Sequence, residues 1–140
     1  MTYIDTHSHV GLAGTFDEAL QEVESARALG VSTGLMTTGS SADFSRIIDW
    51  APRLGWGYTL GLHPLFIQGE SEKSLELLRE TIVSHVDDPY LIGVGEIGLD
   101  FYVHGLDREK QEYFFAEQLK IAQAFSLPVT IHARRSLFRV

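Results

Sequence analysis

The sequence contains no cysteine, which removes disulfides and thiolate metal sites from consideration. No stretch approaches the ~20 consecutive apolar residues of a membrane-spanning helix, so no membrane partner is expected. The opening Met1-Thr2-Tyr3-Ile4-Asp5 has neither the basic segment nor the apolar core of a secretion signal, which leaves a cytoplasmic protein as the default expectation. Positive charge is scarce as well. Lys and Arg number 11 against 19 Asp and Glu, a formal net charge of -8. Such a chain lacks the electrostatic footprint of a protein that grips nucleic acid through its own basic side chains.

What remains is an ordinary globular composition, 44% hydrophobic and 21% charged over 140 residues, enough for one domain with a real core. Periodicity divides it into alternating strands and helices. Tyr3 to His7 reads as a short strand. Thr15-Phe16-Asp17-Glu18 is a capping-box signature. It opens a helix whose stripe is Ala19, Leu20, Val23, Ala26 and Leu29, stopped by Gly30. Val31 to Thr38 is a second strand, and Ser41 is the expected cap of a helix through Ile47, Ile48 and Ala51 to Leu54. Gly57 to Leu62 is a third strand. Ser74 to Val86 is a third helix with Leu75, Leu78, Ile82 and Val86 on one side. Leu91 to Gly95 is a fourth strand, about Asp107 to Phe125 a fourth helix, and Pro128 to Ile131 a fifth strand.

Five strands alternating with four helices imply βαβ units and a parallel sheet. Two architectures suit that order. One is a partial (β/α) barrel, since a complete one takes about 250 residues. The other is an open doubly wound sheet, for which 140 residues suffice. Leu60, Leu62, Val94 and Ile131 lie on the strands involved, and whichever of them point inward would expose apolar surface if a barrel interior were left open.

Residue chemistry clusters at the strand ends. His7 and His9 flank one residue at the end of the first strand, where i and i+2 share a face, and Asp5 joins them. Two adjacent imidazoles can chelate a cation, with Asp5 orienting a ring nitrogen. Two loop histidines that merely sit close are the bland alternative. Gly95-Glu96-Ile97-Gly98-Leu99-Asp100 follows the fourth strand, placing a carboxylate where ordinary solvation is poor; a helix cap or a salt bridge would also account for Glu96. Asp100 reads as a turn former rather than a ligand. His63 ends the third strand and His132 the fifth, with Arg134 two residues on, either a phosphate ligand or a partner for a carboxylate. Four of five strands thus end in His or Glu at one edge, the edge where α/β proteins build their sites. By contrast, His85 and His104 read as surface residues.

Taken together, Ile4-Asp5-Thr6-His7-Ser8-His9, Gly61-Leu62-His63-Pro64, Gly95-Glu96-Ile97-Gly98-Leu99-Asp100, Gln118-Leu119 and Leu127-Pro128-Val129-Thr130-Ile131-His132-Ala133-Arg134 resemble the TatD family of metal-dependent deoxyribonucleases, TIM barrels of the amidohydrolase-like superfamily. The resemblance implies two divalent ions, with His7 and His9 on one, His132 on the other and Glu96 bridging both. His63 and Arg134 would sit beside the substrate phosphate. It also implies phosphodiester hydrolysis, DNA being the expected substrate, with bound cations providing the positive field that the side chains lack. Imidazole and carboxylate suit Zn²⁺ or Mn²⁺, and Mg²⁺ suits an oxygen-rich side. The family pattern goes on to a further histidine and an aspartate that serves as the base, both past Val140. The expectation is therefore an N-terminal half of such an enzyme, residues 1–140, that self-associates through its open side. Two other readings share these residues. One is a superfamily member acting on C–N bonds, against which Glu96 stands where those enzymes often carry a modified lysine. The other is a non-catalytic half-barrel that works by association.

Overall fold

The computed structural model describes residues 1–140. Its elements run β1 (Tyr3–Ser8), α1 (Phe16–Ala28), β2 (Val31–Thr37), α2 (Phe44–Leu54), β3 (Gly57–Leu60), α3 (Glu72–His85), β4 (Leu91–Asp100), α4 (Arg108–Ala124) and β5 (Val129–Arg134). Local chemistry accounts for most of the helix starts. Thr15 Oγ1 accepts from Glu18 N and Glu18 Oε2 from Thr15 N, the reciprocal capping box that the sequence suggests. Asp107 caps α4 by accepting from Lys110 N.

Two helix starts differ from expectation. Ser40, not Ser41, begins the turn into α2, because Asp43 Oδ2 reaches back to the Ser40 N–H and opens a short 3₁₀ turn ahead of the helix. Glu70 takes up the Ser41 amide instead. α3 begins after Ser71, three residues before Ser74, whose hydroxyl accepts from the Ser71 N–H as the second half of that cap. Two apolar residues expected on helix stripes, Leu29 and Val86, are 81% and 53% exposed; each lies one residue past the end of its helix.

All four strand pairings are parallel, and the order is β1-β2-β3-β4-β5. This sequential order excludes the doubly wound sheet, whose order reverses at a switch point. Right-handed crossovers between neighbours place every helix on the same face. The core lies between the two layers: Met36, Tyr58, Leu60, Val94 and Ile97 of the strands meet Val23, Ile47, Leu78, Ile82 and Ile121 of the helices. The fold is α/β, a partial TIM-type barrel of five parallel strands and four helices.

Leu60, Leu62 and Val94 belong to that core and are buried, so they do not line an open interior. The face away from the helices carries Ile4, Thr6, Thr33, Leu35, Gly57 and Ile92 around a trough of about 280 Å³. Ile4 is 65% and Ile92 43% exposed there, and Ile131 on the last strand is 44% exposed.

β4 is twice the expected length. It stays paired with β5 through Ile97↔Ile131, Gly98↔His132 and Asp100↔Arg134, so Glu96 lies within a strand rather than after one. Gly98 makes this approach feasible. Its φ is +140°, and a Cβ there would come within 2.0 Å of the His132 carbonyl oxygen.

Candidate metal centre

Every strand but β2 delivers a chemically active side chain to one end of the sheet, and these side chains meet at Glu96. Its carboxylate is buried, yet both oxygens face imidazoles. Oε2 lies 3.0 Å from His7 Nε2 and 3.7 Å from His9 Nε2. Oε1 lies 3.0 Å from His132 Nδ1 and 3.5 Å from His63 Nε2. The far nitrogen of His132 is 2.9 Å from Asp100 Oδ2. The potential ligand atoms of His7, His9 and Glu96 lie within 4.8 Å of one another, as do those of His63, Glu96 and His132.

The electrostatics follow from this crowding. Burial opposes ionisation of Glu96, but the facing His132 and His63 rings outweigh it and hold the carboxyl below the usual carboxylate range. His132 is raised by its hydrogen bond to Glu96, against burial and with help from Asp100. Burial also opposes ionisation of Asp100, and the His132 hydrogen bond with the amides of Val103 and Tyr102 lowers it nonetheless. His9 is lowered by burial, only partly offset by Glu96, so its ring stays neutral near pH 7.

Donor chemistry fits a cation. Glu96 Oε2 is buried and accepts no hydrogen bond, although two imidazole nitrogens stand beside it. A buried anionic oxygen without a donor is costly, and a divalent ion shared with neutral imidazoles would satisfy it. His9 is prepared for such a role. With the Thr37 hydroxyl donating to Ser8 O, Thr37 Oγ1 accepts from His9 Nδ1 and leaves the Nε2 lone pair free. His63 is prepared differently. Its Nδ1 accepts from the Leu65 N–H at 3.1 Å, so a neutral ring carries its proton on Nε2 and presents a donor, not a ligand lone pair.

Two glutamines of α4 brace the site from below. Gln118 accepts from Leu62 N at 2.7 Å and donates to Leu62 O at 3.2 Å, fixing the peptide before His63. Seven residues earlier, and so two turns along the same helix face, Gln111 clips Asp100 N and O in the same manner. The carbonyl of Gly95, next to Glu96, accepts from the buried Thr59 hydroxyl, and the buried Thr38 hydroxyl lies between the Gly61 and Gly95 carbonyls, nearer the former.

The sequence-based site residues fare unequally. His7, His9, Glu96, His132 and His63 converge. Arg134 does not touch the cluster; its guanidinium lies over the Tyr102 ring, 3.7 Å from the centroid. Asp5 binds the His7 backbone N–H rather than a ring nitrogen. Asp100 is the residue that sequence reasoning undervalued. It is 1% exposed and in contact with His132. The signal was its even spacing from Glu96, which becomes informative once β4 is known to run to residue 100. The threonine and glutamine braces carry no sequence signal of their own, apart from the Gln118-Leu119 match. His104 is exposed, as expected, while His85 is partly buried and hydrogen-bonded to Thr81 O.

A barrel wall with histidines and carboxylates gathered at the carboxyl ends of its strands is the framework of the metal-dependent hydrolases. Within that class, the family model described as TatD related DNase matches residues 4–139, and the chain belongs to this family. It is 31% identical over 135 residues to the uncharacterized metal-dependent hydrolase YjjV of Escherichia coli K12, covering 96% of this chain and 51% of that protein. It is 35% identical over 120 residues to the 3'-5' ssDNA/RNA exonuclease TatD of Pantoea sp. strain At-9b, covering 83% and 44% respectively. The crystal structure of the Escherichia coli TatD homologue YjjV superposes with a TM-score of 0.89 at 30% identity, over 96% of this chain and 51% of that one. The chain thus spans about half the length of the relatives it matches.

Proposed function

We propose that residues 1–140 form the N-terminal portion of a metal-dependent phosphodiesterase, a TatD-like deoxyribonuclease acting in the cytoplasm, and that they carry most of a two-ion centre. The observation that bears this reading is the division of Glu96. Its Oε2 faces the His7 and His9 pair and its Oε1 faces His132, so one carboxylate addresses two separate ligand sets. Asp100 steadies His132 from behind. When bound, divalent ions such as Zn²⁺, Mn²⁺ or Mg²⁺ supply the Lewis acidity and positive field that an in-line displacement at phosphorus requires. The protein's own task is to hold them and to orient the substrate. The Nε2–H of His63 would donate to a phosphate oxygen beside Glu96, and Arg134, in its place over Tyr102, would meet the neighbouring phosphate.

Retention of a glutamate at the hub favours phosphodiesters over the C–N substrates of related barrels. The exposed trough and the free edges of β1 and β5 support self-association, or cover by further chain, as the way the open side is closed. The test is calorimetric titration of Mn²⁺ and Zn²⁺ into the chain and into Glu96→Gln, paired with cleavage of single-stranded DNA. A neutral amide should weaken both binding events together. Unchanged stoichiometry and affinity would make Glu96 a purely structural residue and end the two-ion reading.

A further inference from the structure

Two consecutive arginines converge on one tyrosine ring. In an extended strand neighbouring side chains point to opposite faces, so Arg134 and Arg135 would diverge. Arg135 instead adopts φ +54°, a left-handed conformation that residues other than glycine seldom take. With that turn in place, the Arg135 Cζ lies 4.7 Å and the Arg134 Cζ 3.7 Å from the centroid of the Tyr102 ring. The turn is clamped to the end of β4 on both sides. Phe101 N donates to Arg134 O at 2.9 Å, and the buried Ser136 hydroxyl donates to Leu99 O at 2.8 Å.

Bringing two like charges together is unfavourable unless an anion joins them. No carboxylate does so. Arg46, Arg53, Lys120 and Arg139 each form an ion pair, whereas Arg134 and Arg135 form none. Arg108, also without one, lies 4.7 Å over the ring of Phe101, the residue before Tyr102. On a chain of net charge -8, these three free guanidiniums gather over two adjacent aromatic rings. They also stand beside the metal cluster: Tyr102 N donates to Asp100 Oδ1, and Asp100 Oδ2 meets His132.

We infer that Tyr102, Arg134 and Arg135, flanked by the Phe101–Arg108 pair, form a platform for a single nucleic-acid strand just outside the metal centre. The paired guanidiniums hold the phosphate next to the one being cleaved, and the 43% exposed Tyr102 ring with its stacked guanidinium offers a planar surface to a base. The choice of a strand as ligand rests on the phosphodiesterase reading. The anion site itself does not, since it needs no metal.

The test uses the 140-residue chain in EDTA and a short fluorescein-labelled oligothymidylate, with binding followed by anisotropy between about 50 and 200 mM salt. Arg135→Asn keeps a residue that tolerates the left-handed turn. It should weaken binding about fivefold and lower the slope of log affinity against log salt by about 0.7, the value for one phosphate contact on a single strand. Tyr102→Leu should weaken binding about fivefold or more and leave that slope unchanged, because stacking carries no counterion release. If Arg135→Asn does not fold, as judged by circular dichroism, Arg134→Gln probes the same loss from an ordinary strand position. Parent-like binding by Tyr102→Leu and the arginine variant overturns the platform. So does Arg135-dependent binding of inorganic phosphate with no binding of the oligonucleotide, which would mark a free-phosphate site. Failure of the metal reading would appear separately, as the absence of Mn²⁺ binding heat in the parent chain.

Discussion

Replacing Gln118 with methionine isolates the clip that holds the end of β3. Methionine nearly matches the shape of glutamine, so neither a cavity nor a clash is introduced. What disappears is a donor and an acceptor. Leu62 lies beyond the last paired residue of β3, and its N–H and carbonyl have no backbone partner; the Gln118 amide serves both, at 2.7 and 3.2 Å. Leu62 is 1% exposed and Gln118 1%, so water does not replace the amide without opening the packing. Stranding a buried polar group costs about 1–3 kcal/mol, and two groups therefore cost about 2–6 kcal/mol. For a domain of this size 1 kcal/mol corresponds to roughly 3–4 °C, which puts the expected fall in Tm at about 6–24 °C. Differential scanning calorimetry at fixed chain concentration reads it directly. Gln118→Glu is the companion variant. It keeps an acceptor for Leu62 N but sets a carboxylate oxygen against Leu62 O, and should be at least as damaging at neutral pH. A Gln118→Met melting point within about 2 °C of the parent would refute the reasoning, because the Leu62 peptide would then be satisfied without the clip.

Thr37→Val removes the acceptor that faces His9 Nδ1 while keeping volume, and should lower metal affinity at the His7–His9 pair about tenfold by calorimetric titration. Parent-like affinity would mean the ring needs no orienting partner. Gly61→Ala should not yield a stable fold, since its Cβ would stand 2.7–2.9 Å from the Gly95 backbone; a normal melting curve would show that β3 and β4 can separate there. Sedimentation of the purified chain should show concentration-dependent association, given the exposed trough residues Ile4 and Ile92 and the free strand edges. A monomer across a hundredfold range of concentration would contradict that expectation.

Much of the site was legible because strands have a period of two and active α/β sheets collect function at their carboxyl ends. His7, His9, His63 and His132 were singled out on that principle, and in the structure their rings meet at Glu96. Asp100 escaped because judging it depended on where β4 ends. That boundary is set by pairing with β5, and by a glycine whose missing side chain lets the His132 carbonyl approach. The direction of the Arg134 guanidinium was not legible, since a long flexible side chain takes its direction from what it can stack on, here the Tyr102 ring.

The sequence by itself determined the alternation of strands and helices, the capping of α1, and the residue types at each strand end. These are local properties, governed by side-chain period and by hydrogen bonds within a few residues. Only the tertiary structure decided the rest. The choice of a sequential barrel wall over a doubly wound sheet depends on which strands pair across stretches of about thirty residues. The two faces of Glu96, the glutamine clips from α4 and the arginines over Tyr102 each join groups from different elements. Such contacts arise from the packing of whole layers, where a shift of one residue in register exchanges every inward side chain for an outward one.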